Sequence, residues 1–326
     1  MNRDLPAALR AALARELEGV SRRDLASRAT RTSEAYRAGR GSAEVIRSPE
    51  DALAYALVRL PATYAACAAV FDEARRMAPG FAPRSLLDAG SGPGAASWAA
   101  TETWPQLASA AWLDASAPFL DLAARLARDG PTALRDAEVL RTDLAAGRVG
   151  APADLVVASY ALAEIKPAAQ RDVVHALWTA CQGVLALVEP GTTAGFQRIL
   201  AARDALIAAG AELLAPCPHA AACPLAAPDW CHFSVRLPRS RDHLATKGAE
   251  VPFEDEKFAY LIAARPGIAG AARSARVLAA PRVSKGGTVF KLCGAEGLAA
   301  RTVVRRDKAA YAAARRLRWG DAWPGR

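Results

Sequence analysis

Residues 86–96 read LLDAGSGPGAA, and this stretch decides the fold. A short apolar strand pattern contains Asp88, three glycines follow at Gly90, Gly92 and Gly94, and an Ala-rich helical pattern begins directly after them. Glycines at these places let the chain turn tightly and let a ligand approach the backbone. The loop therefore indicates a nucleotide-type cofactor, although a dinucleotide site uses a similar loop.

The pattern around the loop predicts an α/β fold. Five short apolar stretches alternate with helical stretches, and they read SLLDAG, SAAWLDAS, AEVLRTDL, ADLVVASYAL and GVLALVEPG. This alternation is typical of a parallel, doubly wound, Rossmann-like sheet. Asp114 and Asp143 end the second and third stretches, at the edge where such sheets bind ligands. Each acid taken alone can also simply cap the next helix.

We divide the chain into four regions. Residues 1–80 are a helical region, in which Ser48 and Pro49 are the predicted cap and first position of one helix. Residues 81–200 are the cofactor-binding core, and residues 201–252 are a helix and a cysteine-rich insertion. In residues 253–326 the stretches KFAYLIAAR, ARVLAAPRV and GTVFKLCG are predicted strands that complete the core, followed by a basic tail.

The net charge of +9 is concentrated at the C-terminal end of the 326 residues. Residues 265–326 contain fourteen Lys or Arg against three Asp or Glu. The arginines there neutralise phosphates, and Tyr311, Trp319 and Trp323 between them are flat enough to stack on bases. The pattern indicates RNA binding, and its alternative is a solvated basic helix whose aromatic side chains pack on the core.

The sequence predicts a soluble cytoplasmic protein that does not contact a membrane. We find no run of about eighteen apolar residues that would span a bilayer. The first twenty residues form an amphipathic helical pattern with acids among its arginines, unlike a signal or transit sequence.

Four of the six cysteines form a candidate metal site. The stretch CPHAAACPLAAPDWCHF, residues 217–233, contains Cys217, Cys223 and Cys231, and Cys293 follows in FKLCG. In a reducing cytosol, clustered cysteines are more often metal or cluster ligands than disulfides. Four thiolates suit zinc or an iron–sulfur cluster, and the stretch has no Cys-x2-Cys knuckle of a zinc ribbon.

Two alternatives accompany this site. His219 and His232 keep a Cys3His zinc site open, in which Cys293 is an ordinary buried thiol. Cys67 and Cys181 lie in helix-like apolar surroundings, where a thiol most often acts as a small buried hydrophobe.

The spacing D-x-G-x-G-x-G resembles motif I of class I S-adenosylmethionine-dependent methyltransferases. This resemblance implies that the loop cradles the amino-acid part of the cofactor, that Asp114 binds the ribose hydroxyls and that Asp143 lies near the adenine. Ser159, at the end of the fourth strand, completes the cofactor-binding candidates.

No catalytic residue is assigned. Ser159, Tyr160 and Glu164 could line an acceptor pocket, but they could equally be structural. The N-P-P-Y type motif of many nucleic-acid amino methyltransferases is absent, and no Pro-Cys pair follows the fourth strand.

A wider resemblance covers nearly the whole chain. It rests on the four cysteines together with YALVRLPATYAA at 55–66, LLDAGSGPGAASWAA at 86–100, EPGT at 189–192 and the terminal WGDAWP. These stretches look like the Rsm-twenty-two-type family of small-ribosomal-subunit assembly methyltransferase-like proteins, bacterial and mitochondrial.

The resemblance implies a fold, cofactors and partners. The fold is a class I methyltransferase sheet, and the implied [4Fe–4S] ligands are Cys217, Cys223, Cys231 and Cys293. The implied contacts of S-adenosylmethionine are Asp88, Gly90, Gly92, Gly94 and Asp114. The partners are the small ribosomal subunit and its rRNA, and the free protein is a monomer. Three functions stay open: an rRNA methyltransferase, an assembly factor that only binds the cofactor, and a small-molecule methyltransferase with structural zinc.

Overall fold

The computed structural model describes residues 4–37, 41–247, 250–268 and 273–324. Helices come first, at α1 (Ala7–Glu16), α2 (Arg22–Arg37), α3 (Ser42–Val45) and α4 (Pro49–Met77). A capping box starts α4: the Ser48 hydroxyl accepts the N–H of Asp51, and the Asp51 carboxylate accepts the N–H of Ser48, both at 3.2 Å. Pro49 occupies the first helical position, so the predicted start of this helix is confirmed.

Helix α4 is the central helix of the molecule. Among the described residues it is the one helix that is long and apolar enough to cross a membrane, whereas the sequence was predicted to contain no such segment. Most of its apolar stretch is nevertheless buried inside the protein, with Leu57, Leu60 and Phe71 almost inaccessible to solvent. We therefore describe α4 as a core helix.

The core is one eight-stranded sheet. Its strands are β1 (Ser85–Ala89), β2 (Ser109–Asp114), β3 (Glu138–Arg141), β4 (Ala153–Ser159), β5 (Cys181–Pro190), β6 (Glu212–Ala215), β7 (Phe233–Pro238) and β8 (Phe253–Ala264). They are ordered β3-β2-β1-β4-β5-β8-β6, and β7 also pairs with β8. Strands β1 to β5 are parallel, whereas β8 is antiparallel to its neighbours. This order confirms the predicted Rossmann-like methyltransferase fold.

Helices cover both faces of the sheet. They are α5 (Ala95–Thr103), α6 (Ala117–Ala127), α7 (Thr132–Arg135), α8 (Pro167–Ala180), α9 (Thr193–Ala208) and α10 (Arg241–Lys247). Because successive residues of a strand point to opposite faces, Leu155 packs in the layer of α4, α5 and α6, whereas Val156 packs in the layer of α8 and α9. Both residues are fully buried, as in a sheet enclosed on two sides.

A second, smaller sheet follows the core. It contains β9 (Arg276–Val277), β10 (Arg282–Val283), β11 (Gly287–Gly294) and β12 (Gly297–Val304), and helix α11 (Lys308–Ala314) comes after it. Its own small core is formed by Val277, Phe290, Leu292, Val303 and Ala314, with Trp323 packed against them.

This arrangement differs from the expected role of the C-terminal strands. Of the three predicted strands, only KFAYLIAAR enters the core sheet, as part of β8, while ARVLAAPRV and GTVFKLCG enter the second sheet. The physical reason is that β6 and β7 already pair with the outer edge of β8, so that edge is closed to later strands. Residues 201–252 therefore contribute two core strands besides the cysteine loop between them.

We expect Ser48→Ala to lower the free energy of unfolding by about 1 kcal/mol, because α4 then loses its side-chain cap. The measurement is a urea unfolding curve. Ser109→Ala, at an exposed position where β2 starts, is the matched control and should change the value by less than about 0.5 kcal/mol. Equal effects of the two substitutions would contradict a role for the capping box.

Candidate cofactor and metal sites

The glycine loop joins β1 to α5 and requires glycine at three places. Gly90, Gly92 and Gly94 have φ values of 75°, 52° and 85°, in the left-handed region that other residues avoid. A Cβ at Gly90 would lie 2.6 Å from the Cβ of Ala161, so the loop packs closely on the end of β4. At Gly92 a Cβ would meet only the ring of Phe119, at 4.0 Å. The backbone at Gly92 is therefore open to a ligand.

Asp88 lies at the base of this loop and is completely buried. Its Oδ2 accepts hydrogen bonds from the Ser97 hydroxyl at 2.7 Å and from the Ser97 N–H at 3.1 Å. Its Oδ1 has no partner among the described residues. Burial raises the pKa of Asp88 to about 7. One carboxylate oxygen thus fixes the loop to α5, and the other is left unsatisfied.

Asp114 ends β2 and holds the loop from the other side. Its Oδ2 accepts the N–H of Gly92, and its Oδ1 accepts the N–H of Ser116, both at 2.8 Å. Burial raises the pKa of Asp114 although both N–H groups favour the ionised form. The structure therefore brings Asp88, Asp114 and the glycines together at one sheet edge.

The other two cofactor candidates are placed differently. Asp143 is exposed, and its Oδ1 accepts the N–H of Ala145 at 2.8 Å, which is the capping role allowed by the sequence. Ser159 is buried at the end of β4, where its hydroxyl is hydrogen-bonded to the thiol of Cys67. Both lie at the carboxyl ends of their strands, as predicted, but each already has a structural partner.

Tyr160, directly after β4, belongs to a partly buried polar network. Its φ of 58° is uncommon for a bulky residue, and backbone strain of this kind is frequent at binding sites. The Tyr160 hydroxyl donates to Oε1 of Glu256 at 2.7 Å, and Nη2 of Arg59 donates to the same oxygen at 3.1 Å. Burial raises the pKa of Tyr160 well above its ordinary value. Side chains from α4, the end of β4 and β8 are thus held together.

A cavity of about 730 Å³ opens beside this network. Its volume is in the range of small-molecule pockets. Residues of α2 and α4 form one wall and the ends of β4 and β5 the other; the polar lining residues include Tyr55, Arg59, Tyr160, Glu164, Arg198 and Lys247. The Tyr55 ring lies 4.9 Å from that of Phe119, the side chain nearest to Gly92. The cavity and the glycine loop are therefore neighbours.

Two acids around the cavity are paired; Glu164 is exposed, whereas Glu189 is buried. Glu164 accepts the N–H of Ser42 at 2.6 Å, and desolvation by the surrounding protein raises the pKa of Glu164. Glu189 lies 2.6 Å from Nε of Arg198, and burial raises the pKa of Glu189 to about 7 although Arg198 opposes this rise. Glu164, for which the sequence left a pocket-lining and a structural role open, thus lines the cavity and is also anchored to the start of α3.

The four cysteines of the candidate metal site line a second, smaller cavity of about 40 Å³. Cys217 lies two residues after β6, Cys231 two residues before β7, Cys223 in the loop between them, and Cys293 on β11. All four are free thiols. The tertiary structure therefore brings together four residues that are spread over seventy-seven positions of the sequence.

The pairing of β8 explains why the ends of the cysteine loop face each other. Strand β6 ends at the pair Ala215–Ile262, and β7 begins at the pair Phe233–Phe258. The two strands lie end to end along β8, with a gap of about 13 Å between them at 3.3 Å per residue. The cysteine loop leaves and re-enters the sheet at this gap, and Tyr260 of β8 lines the cavity there.

The pKa values of the cysteine thiols are raised by burial and by the closeness of the thiols to one another. Burial raises the pKa of Cys217, and the positive charge of the nearby Arg203 guanidinium opposes the rise. Burial raises the pKa of Cys231 well above its ordinary value and that of Cys293 to about 11, and neighbouring cysteines add to both shifts. A cation bound between these thiols would offset both effects, because metal ligands are thiolates.

The two histidines of the alternative zinc site lie differently. Nε2 of His219 is 4.0 Å from Sγ of Cys293. The ring of His232 instead stacks on Trp230 at 4.8 Å and meets the edge of Trp319 at 4.7 Å. Within the described residues, no group of three or more His, Cys, Asp or Glu side chains is arranged to hold a metal ion. Of the two histidines, only His219 is therefore a neighbour of the cysteine cavity.

The C-terminal residues divide into exposed cations and packed aromatic side chains. Arg305, Arg306, Arg315 and Arg316 are exposed on or near α11. The Trp319 indole donates to the carbonyl of His232 at 2.8 Å, and Trp323 packs on Phe290. The tryptophans are thus engaged with the second sheet and the cysteine loop, as in the alternative reading of this region, while the arginines face solvent.

A family model described as mitochondrial small ribosomal subunit Rsm22 matches residues 49–324. The chain belongs to the Rsm22 family. The match includes the glycine loop, the cysteine loop and the second sheet, so the predicted family resemblance is confirmed.

One curated relative of this Rsm22 family member is the human protein named ribosome assembly protein METTL17, mitochondrial. It is 31% identical over 295 residues, which cover 83% of this chain and 62% of the relative. The chain therefore spans less than two thirds of the length of that relative.

Solved structures with a similar fold include two methyltransferases. The magnesium protoporphyrin IX methyltransferase of Synechocystis PCC 6803 is 14% identical, with a TM-score of 0.40 over 67% of this chain and 83% of that chain. The N-methyltransferase NodS of Bradyrhizobium japonicum is 12% identical, with a TM-score of 0.40 over 60% and 84%.

Sequence reasoning missed four charged residues at the two sites of this Rsm22 family member. Arg59 and Glu256 are paired beside the large cavity, while Arg203 and Arg276 line the cysteine cavity. Only one signal in the sequence pointed towards any of them: Arg59 lies in the stretch YALVRLPATYAA that carried the family resemblance.

We expect Gly92→Leu to weaken S-adenosylmethionine binding at least ~10-fold, about 1.4 kcal/mol, because the side chain would occupy the open space over the loop. Isothermal calorimetry measures the affinity. Gly19→Leu is the matched control, since Gly19 also has a positive φ, 73°, and open surroundings but lies far along the chain from the loop. If both variants bind equally well, the assignment of the loop fails.

Proposed function

We propose that this chain binds S-adenosylmethionine and a [4Fe–4S] cluster, and that it acts on or docks to the small ribosomal subunit and its rRNA during assembly. The observation that carries the proposal is that three cysteines of one loop and a fourth, distant cysteine line the same cavity. The chain also belongs to a family whose description names the small ribosomal subunit. The name of the human relative, a ribosome assembly protein, supports the same process.

The residues at the glycine loop fit S-adenosylmethionine. The loop leaves the backbone at Gly92 open, and Oδ1 of Asp88 is a buried acceptor without a partner among the described residues. A carboxylate in that state suits the ammonium group of an amino acid, because a buried charge requires a counter-charge. Asp114 would hold the loop in shape and contact the ribose. When bound, the cofactor supplies an electrophilic methyl group.

The residues at the cysteine cavity fit a polynuclear cluster. The donor set is four thiols in largely apolar surroundings, with two arginines in the cavity wall. Four cysteines without a Cys-x2-Cys knuckle favour a cluster over the commonest structural zinc sites. A zinc site formed by three cysteines and His219 is the alternative.

Methyl transfer needs an acceptor beside the cofactor, and the large cavity is the place where one would enter. Tyr160 and Glu164 would orient the acceptor there. One observation favours a factor that binds the cofactor without transferring its methyl group: Tyr160, Glu164 and Glu189 are all engaged by protein partners. The two functions differ in whether labelled methyl groups reach rRNA.

Docking to rRNA is assigned to the exposed arginines on and around α11. They carry charge towards solvent, as contacts to phosphate require. The location proposed from the sequence is the cytoplasm, with the protein monomeric when free. The human relative is named as mitochondrial.

We expect Cys293→Ser to lose bound iron and sulfide while affinity for S-adenosylmethionine is unchanged, because the two sites lie on different parts of the fold. Protein purified without oxygen is assayed for iron, sulfide and zinc. Cys181→Ser, at a buried cysteine outside the cavity, is the matched control and should keep its iron. A colourless wild-type protein with one zinc, unaffected by Cys293→Ser, would overturn the cluster in favour of the Cys3His site.

We expect neutralising Arg305, Arg306, Arg315 and Arg316 to flatten the salt dependence of rRNA binding. Each lost phosphate contact lowers the slope of log affinity against log salt by roughly one unit. Filter binding at several salt concentrations gives the slope. The control neutralises four exposed arginines elsewhere, at Arg23, Arg31, Arg148 and Arg171. An unchanged slope in the first variant would remove the docking role from this region.

The function itself is tested in cells with and without the protein. Loss of the protein should deplete mature small subunits, and labelled S-adenosylmethionine should reach rRNA of immature subunits only if the protein is an enzyme. Normal subunit profiles in its absence would overturn the assembly role.

A further inference from the structure

Two buried arginines line the cysteine cavity. Arg203 is 2% exposed and Arg276 is 4% exposed. Burying a guanidinium is costly unless it is paired and hydrogen-bonded. In each arginine the Nε–H group has no partner among the described residues. Each side chain therefore keeps an N–H donor without a hydrogen bond in a buried place, where such a donor lowers the stability of the fold.

Arg203, on α9, is anchored to the cysteine loop. Its Nη2 donates to the carbonyls of His219 at 3.1 Å and Ala221 at 2.6 Å. Its carboxylate partner, Asp204, is 66% exposed, so solvent screens that ion pair. The positive charge of Arg203 is thus poorly compensated within the protein.

Arg276 is fixed next to Cys293. The two residues are register partners on β9 and β11, and paired residues of antiparallel strands project to the same face. Nη1 of Arg276 donates to the carbonyl of Gly320 at 2.9 Å, while Nη2 is paired with Glu73 of α4. Glu73 is also paired with Arg76, so its charge is shared between two cations.

The cavity is therefore prepared for an anion that accepts hydrogen bonds. Four thiolates around a [4Fe–4S] core in its oxidised state form a dianion, and two guanidiniums match its charge. Hydrogen bonds to the sulfurs of such clusters and nearby charge are the means by which proteins set reduction potential.

We propose that Arg203 and Arg276 are positioning residues for the group held by the four cysteines, neutralising its charge and donating Nε–H hydrogen bonds to its sulfur atoms. This inference rests on the proposed function for the identity of that group. Because both terminal nitrogens of each arginine are bound to carbonyls or carboxylates of the protein, the guanidiniums are already oriented before the group arrives.

The test compares Arg203→Gln and Arg276→Gln with the wild-type protein and with Arg265→Gln. Arg265 is the matched control, since it also donates to two carbonyls, those of Cys181 and Trp178, but lies outside the cavity. Iron, sulfide and zinc contents, the rate of metal loss to a chelator and the reduction potential are measured. Arg203→Lys and Arg276→Lys restore charge without the planar donor.

We expect each Gln substitution in the cavity to speed metal loss about 10-fold or more. The reduction potential should fall, because the reduced cluster carries more negative charge and loses a nearby cation. The Lys variants restore the positive charge but not the Nε–H donor. Their reduction potential should therefore return towards the wild-type value, while their rate of metal loss should stay closer to that of the Gln variants. A merely structural role of the arginines would not move the potential in a charge-dependent way.

Three other outcomes decide the matter. If the wild type holds iron and sulfide but the cavity variants behave like Arg265→Gln, the inference is wrong and the proposed cluster stands. If the wild type holds zinc and the cavity variants lose it faster than Arg265→Gln does, the cluster is wrong and the role of the arginines stands. A wild-type protein without any metal would overturn both.

Discussion

Strand β8 is the element on which both candidate sites depend. It pairs with β5 along one edge and with β6 and β7, end to end, along the other. At its beginning, Glu256 binds Tyr160 and Arg59 beside the large cavity. Further along, Tyr260 lines the cysteine cavity at the gap between β6 and β7. One antiparallel strand thus fixes two pockets through backbone hydrogen bonds that are buried and cooperative.

Among the described residues, most of the buried charged side chains lie near these two places. Around the glycine loop they are mostly carboxylates, such as Asp88 and Asp114, whose pKa values are raised by burial. Around the cysteines they are arginines, Arg203 and Arg276. The first environment suits a cationic ligand, and the second suits the net anion that the four thiolates form together with a [4Fe–4S] core, because a buried charge is tolerated only with a counter-charge. The opposite polarity of the two sites is consistent with two different ligands.

Helix α4 connects the two sites mechanically. Its first half contributes Tyr55 and Arg59 to the wall of the large cavity, and its last turns contribute Glu73, which is paired with Arg276 at the cysteine cavity. Since the helix is buried along most of its length, a displacement at one end is resisted by the whole core. The second sheet is attached to this frame through the same arginine, which also bonds the carbonyl of Gly320.

Local patterns in the sequence determined the glycine loop, the five parallel strands, the acids at their ends and the start of α4. Each of these depends on residues within a few positions of one another, as in D-x-G-x-G-x-G or in Ser48 followed by Asp51. The tertiary structure alone decided that β6 and β7 share the edge of β8, which excluded the last strands from the core sheet. It also decided the pairs Arg59–Glu256 and Glu73–Arg276, whose members lie 197 and 203 positions apart. Such contacts leave no local pattern, because they depend on which strand closes an edge and not on the residues beside them in the chain.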